Sequence, residues 1–82
     1  MLRDEIETRK KVIGSKQVKK AVAKGLAIKV YLAGDAEPHI IEPLQDLCRQ
    51  HQVETEMVVS MEELGRACGI EVGSAAVALV KE

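Results

Sequence analysis

The chain has 82 residues and a formal net charge of −1; 46% of its residues are hydrophobic, 30% are charged, and a single tyrosine is the one aromatic. This length and composition suit one globular domain, residues 1–82. No run of about 20 apolar residues offers a membrane span, and no apolar stretch follows the charged start to make a secretory signal, so a cytoplasmic setting without membrane contact is expected. The lack of Phe and Trp argues against a base-stacking platform of aromatic side chains.

In chain order, residues 2–11 read as a helix, rich in helix formers and free of Gly and Pro. Val12-Ile13 is a short apolar pair that suits a strand fragment, and Gly14-Ser15 is a turn and cap. Residues 16–24 form a lysine-rich helix. Residues 28–33, IKVYLA, put Ile28, Val30 and Leu32 on one face of a strand. GDAEP is a loop, and a helix follows from Pro38 or slightly later to about His51, with Pro43 demanding a late start or a kink. Its apolar stripe is Ile40, Ile41, Leu44, Leu47 and Cys48.

Residues 55–59 are a strand. Ser60-x-x-Glu63 is a capping box that opens a helix to about Ala67. CGIEVGS is a glycine-bounded loop, and AAVALV, residues 75–80, is a buried strand or starts with a short helical turn. The alternation of helix and strand predicts an α/β fold, a three-layer α/β/α sandwich around a small mixed sheet of four strands. Its core is expected to consist of Val, Leu, Ile, Ala and Met.

The charge is uneven. From Thr8 to Gly34 there are eight basic residues, Arg9, Lys10, Lys11, Lys16, Lys19, Lys20, Lys24 and Lys29, and no acid. Such a face is the electrostatic footprint of a phosphate-rich partner, or else a solvated helix surface. At about 100° per residue, Lys16, Gln17 and Lys20 share one side of the lysine-rich helix, with Val18, Ala21, Val22 and Gly25 opposite. Two lysines at a helix start oppose the helix dipole, which points to a use other than stability. Gln17 carries a donor and an acceptor that can read base edges. Gly14, without a side chain, lets a partner backbone approach.

Cys48 and Cys68 keep step with Leu44, Leu47 and Leu64 and read as reduced core thiols. Cys48-x-x-His51 has metal-ligand spacing, but nothing completes a set of four, so no metal or other cofactor is expected. No nucleophile–base pair or paired carboxylates stand out, and an enzyme is not expected. The apolar residues of GIEVG, Ile70 and Val72, are either plugs under the loop or a ledge offered to a partner.

Three stretches, GSKQVKKAVAKG, LAGDAEP and LGRACGIEVGSAAVALV, resemble the ribosomal L7Ae/L30e family of kink-turn RNA-binding proteins, in order and over essentially the whole chain. The resemblance is to its small stand-alone bacterial members. It implies a non-enzymatic protein that binds a kink-turn, an RNA helix sharply bent at a short bulge followed by tandem sheared G·A pairs. The family's G-x-N-E-x-x-K pattern falls on Gly14, Lys16, Gln17 and Lys20, with Ser15 and Lys19 beside them. Gly14 and Lys20 agree with it, whereas Lys16 and Gln17 stand where archaeal and eukaryotic members have Asn-Glu. Glu37 matches the acid that contacts the extruded bulge nucleotide, and Ile41 the apolar residue of the same pocket. Arg66 matches a basic residue on the RNA backbone, and Met61 replaces a family lysine. Ile70, Glu71, Val72 and Gly73 fall on the loop that clamps the bulge, which favours the ledge over the plug. The partner implied is ribosomal RNA or a structured regulatory RNA, bound by a monomer. The alternatives are a structural protein of the large ribosomal subunit and a protein-interaction module on the same fold.

Overall fold

The structure, a computed structural model, describes residues 10–81. Its elements are β1 (Lys11–Ile13), α1 (Ser15–Ala23), β2 (Ala27–Ala33), α2 (Pro38–Gln50), β3 (Glu54–Val58), α3 (Met61–Ala67) and β4 (Ala76–Val80). The helix expected over residues 2–11 lies outside the described residues except at its last two positions, and those are not helical. Lys11 pairs with Leu79 across the sheet, and the carbonyl of Lys10 accepts from Val80 N–H at 3.0 Å. Ladder bonds to the most buried strand outweigh the helix propensity of two lysines there.

The sheet order is β1-β4-β2-β3, antiparallel at β1/β4 and β4/β2 and parallel at β2/β3. It is the mixed four-stranded sheet of an α/β/α sandwich. Helices α1 and α2 pack against each other over one face, α1 across β1, β4 and β2, and α2 across β2 and β3. Helix α3 packs on β2, β3 and β4. The central strands carry the core: Val30, Tyr31, Leu32 and Ala33 of β2 and all of β4 are buried, on both sides of the sheet. Ile28 does not join them. The register breaks between Ala27 and Lys29, and Ile28 is left exposed at that irregularity.

Helix α1 buries Val18, Ala21 and Val22 and ends in a Schellman motif, with Leu26 N–H on the carbonyl of Ala21 and Gly25 N–H on that of Val22. Helix α2 starts at Pro38, where its missing N–H costs nothing, and runs through Pro43. Ser60 caps α3, its Oγ accepting from Glu63 N–H at 3.1 Å, as the capping box predicts. Two composition-based expectations need correction. Met57 and Met61 are exposed rather than core residues, and the single aromatic, Tyr31, is fully buried. Cys48 is buried and Cys68 half-buried; burial raises both thiol pKa values, with Lys11 partly opposing this at Cys68.

Candidate nucleic-acid interface

Strand direction decides which loops meet. β1 ends where β4 begins, since Ile13 pairs with Val77, and the amide of Gly14 donates to Ala76 at 2.9 Å. β4 begins where β2 ends, since Leu32 pairs with Ala76 and Ala33 N–H bonds to Ala75. β3 ends beside β2, where Gly34 N–H bonds to Val58 at 2.7 Å. Four segments far apart in sequence therefore converge on one end of the sheet: Gly14 to Gln17, Gly34 to His39, Val59 to Met61, and the loop 69–74.

Hydrogen bonds lock these segments together. Asp35 Oδ1 accepts from Met61 N–H at 2.8 Å, tying the GDAEP loop to the start of α3. Ser74 N–H donates to the carbonyl of Met61 at 3.0 Å, and its buried hydroxyl donates to that of Ala76 at 2.9 Å. Gly65 is pressed against the loop: a Cβ there would lie 2.1 Å from the carbonyl oxygen of Val72. Sequence reading passed over Asp35, Ser74 and Gly65, although the small residue inside LGRACG marks a helix face that something approaches closely.

Helix α1 starts at this end of the sheet with Lys16, Gln17 and Lys19 and runs back along it, so that its C-cap residue Lys24 lies toward the other end, where β2 begins. Lys16, Gln17, Lys19, Lys20 and Lys24 are exposed, and no acid pairs with these lysines among the described residues. Gly14 precedes the helix at φ 101°, a conformation that L side chains rarely adopt, and space is open where a side chain would stand. It gives α1 no side-chain cap, so the first-turn N–H groups face an approaching anion together with the lysines. Ser15 is half-buried at the first helical position.

The basic run of the sequence does not stay together. Lys29 lies along β2 with its side chain 15% exposed, its Nζ 2.9 Å from Glu56 Oε1 and 3.7 Å from Glu54 Oε2. Its ammonium is also 5.0 Å from the centre of the Tyr31 ring. It belongs to the sheet, and the exposed cluster is that of α1. Arg9 lies outside the described residues.

The remaining candidates are placed differently. Glu37 is the N-cap residue of α2, but its carboxylate does not cap; Oε2 lies 3.0 Å from Nδ1 of His39, and both side chains are exposed. Ile41, one turn on, is only 7% exposed and supports the loop from within the core. Val72 is 70% exposed, Ile70 is half-buried, and Glu71 and Gly73 are exposed. Val59, at 81%, and Met61 add apolar surface where the same loops meet. Arg66, on α3, is exposed and pairs with Glu62 one turn back, a surface pair that holds it weakly. Cys48 is buried, and His51 is exposed at the end of α2.

A family model described as the ribosomal protein L7Ae/L30e/S12e/Gadd45 family matches residues 1–82. An RNA-binding protein of Geobacillus sp. strain WCH70 is 40% identical over 76 residues, 93% of each chain. An RNA-binding protein of Caldanaerobacter subterraneus subsp. tengcongensis is 41% identical over 69 residues, 84% of each chain. Among solved structures, a 15.5 kD RNA-binding protein of Giardia lamblia superposes with a TM-score of 0.87 at 27% identity, covering 99% of this chain and 68% of that one.

Proposed function

We propose that this chain, which belongs to the ribosomal protein L7Ae/L30e/S12e/Gadd45 family, is a non-enzymatic RNA-binding protein that recognises and stabilises kink-turn RNA. The observation that carries this reading is the convergence at one end of the sheet of the lysines that open α1, which no acid pairs among the described residues, an exposed glutamate and an exposed apolar loop. The relatives named RNA-binding proteins, similar over most of their length, support the RNA part of it.

In this reading Lys16, Lys19 and Lys20 neutralise phosphates that the bend crowds together, and Lys16 with Gln17 addresses base edges in the stem. The open backbone at Gly14 and Ser15 lets the RNA come close. Glu37 contacts the extruded nucleotide, which rests on Ile70 and Val72 between Glu71 and Gly73, with Ile41 beneath. Arg66 reaches the backbone. The protein binds the bent state and so shifts an equilibrium the RNA already has. It acts as a cytoplasmic monomer on ribosomal or structured regulatory RNA; co-sedimentation with ribosomes at high salt distinguishes a stoichiometric ribosomal subunit.

Roughly four phosphate contacts give a log–log slope of affinity against salt of about −3 to −4 in a filter-binding titration. A slope near zero excludes an electrostatic role for α1. The apolar loop gives a second expected result. Val72 is too exposed to fill the core, so Val72→Ala leaves the melting temperature nearly unchanged, within the roughly 0.5 kcal/mol typical of surface changes. The same variant binds a kink-turn more weakly. A lower melting temperature with unchanged affinity would return Val72 to a packing role.

A further inference from the structure

Helices α1 and α2 leave a cleft of about 230 Å³ lined by Ser15, Lys16 and Lys19 on one side and His39, Ile40, Pro43 and Leu44 on the other. His39 is the only titratable side chain that α2 contributes to this lining, and the same ring has Nδ1 3.0 Å from the Glu37 carboxylate. It thus links the acid loop to the lysine helix. With Nδ1 turned to Glu37, Nε2 is left for another partner. Two lysines that no acid pairs among the described residues, and an imidazole, thus line the cleft beside one carboxylate.

Resting on the kink-turn reading above, we infer that His39 belongs to the RNA interface: through Nδ1 it holds the Glu37 carboxylate toward the extruded nucleotide, and through Nε2 it joins Lys16 and Lys19 on an RNA phosphodiester seated in the cleft. The ring stands between the acid loop and the first turn of the lysine helix, within reach of both.

The test is a binding titration of wild type, His39→Ala and His39→Gln on a kink-turn RNA, beside a straight duplex. His39→Ala binds the kink-turn about fivefold more weakly than wild type, the size of one charge-assisted contact, with a smaller loss on the duplex. His39→Gln keeps a donor and recovers part of the kink-turn affinity. Equal affinities of wild type and His39→Ala for the kink-turn overturn the role of His39 alone. Wild type that does not distinguish kink-turn from duplex overturns the kink-turn reading, and this inference with it.

Discussion

Lys20→Ala is expected to weaken kink-turn binding by about 1–3 kcal/mol, the range of a well-made base contact. Lys20 stands one turn after Lys16 on the exposed side of α1, with no acid paired to it among the described residues. Alanine is a better helix former than lysine and the site is exposed, so the melting temperature does not fall. The loss is therefore one of recognition. It is larger for an RNA with tandem G·A pairs than for one with Watson–Crick pairs in their place, because a base contact discriminates and a phosphate contact does not. Lys24→Ala is the control. Lys24 is the C-cap residue of α1, two turns from Lys16, and its loss lowers affinity for both RNAs alike. Equal effects of the two variants on discrimination would mean that the helix attracts RNA without reading it.

Gly65→Ala is expected to cost stability, by about 3 kcal/mol, the upper end of overpacking. The added methyl would sit 2.1 Å from the carbonyl oxygen of Val72 and 3.1 Å from the Cα of Gly73. Both neighbours are backbone, so no side chain can swing aside to make room. Either α3 lifts from the sheet, exposing Leu64 and Ala67, or the loop 69–74 moves away from α3. The second route breaks the Ser74–Met61 bond that seats the loop. Thermal melting reads the first effect and kink-turn affinity the second, so this one methyl is expected to lower both. A melting temperature within a degree of wild type would show that the loop is not clamped against α3.

Local chemistry explains what could be read from the sequence. The lysine helix was legible from its residues because Val18, Ala21 and Val22 recur at helical spacing opposite the lysines, and each of them is buried. The Ser60 capping box was legible because both partners lie within four residues. Val72 against Ile70 was not decidable by periodicity. Chain path exposes the first and half-buries the second, and a glycine-bounded loop has no repeat that would say so.

Long-range pairing explains the rest. Lys29 joined the basic run on paper, but the parallel β2/β3 register sets it beside Glu54 and Glu56, residues more than twenty positions away. Ile41 is assigned to the pocket by resemblance alone, and its place one turn after Glu37 also puts it in the stripe of α2 that faces the core. The His39–Glu37 contact lies within three residues but carries no signature of its own. Its meaning depends on α1 lying across the cleft, which is a matter of helix packing. Convergence of the four loops is wholly a product of sheet order.

A protein that recognises a bent RNA rather than any RNA binds and bends a kink-turn in one step. The direct measurement is fluorescence energy transfer between dyes on the two arms of a kink-turn RNA, titrated with the protein without divalent ions, beside the same RNA with its G·A pairs replaced by Watson–Crick pairs. The expected result is a saturable rise in transfer for the kink-turn, with affinity at least about tenfold above that for the substituted duplex, which stays extended. Equal affinity for both RNAs, with no change in transfer for either, would contradict it.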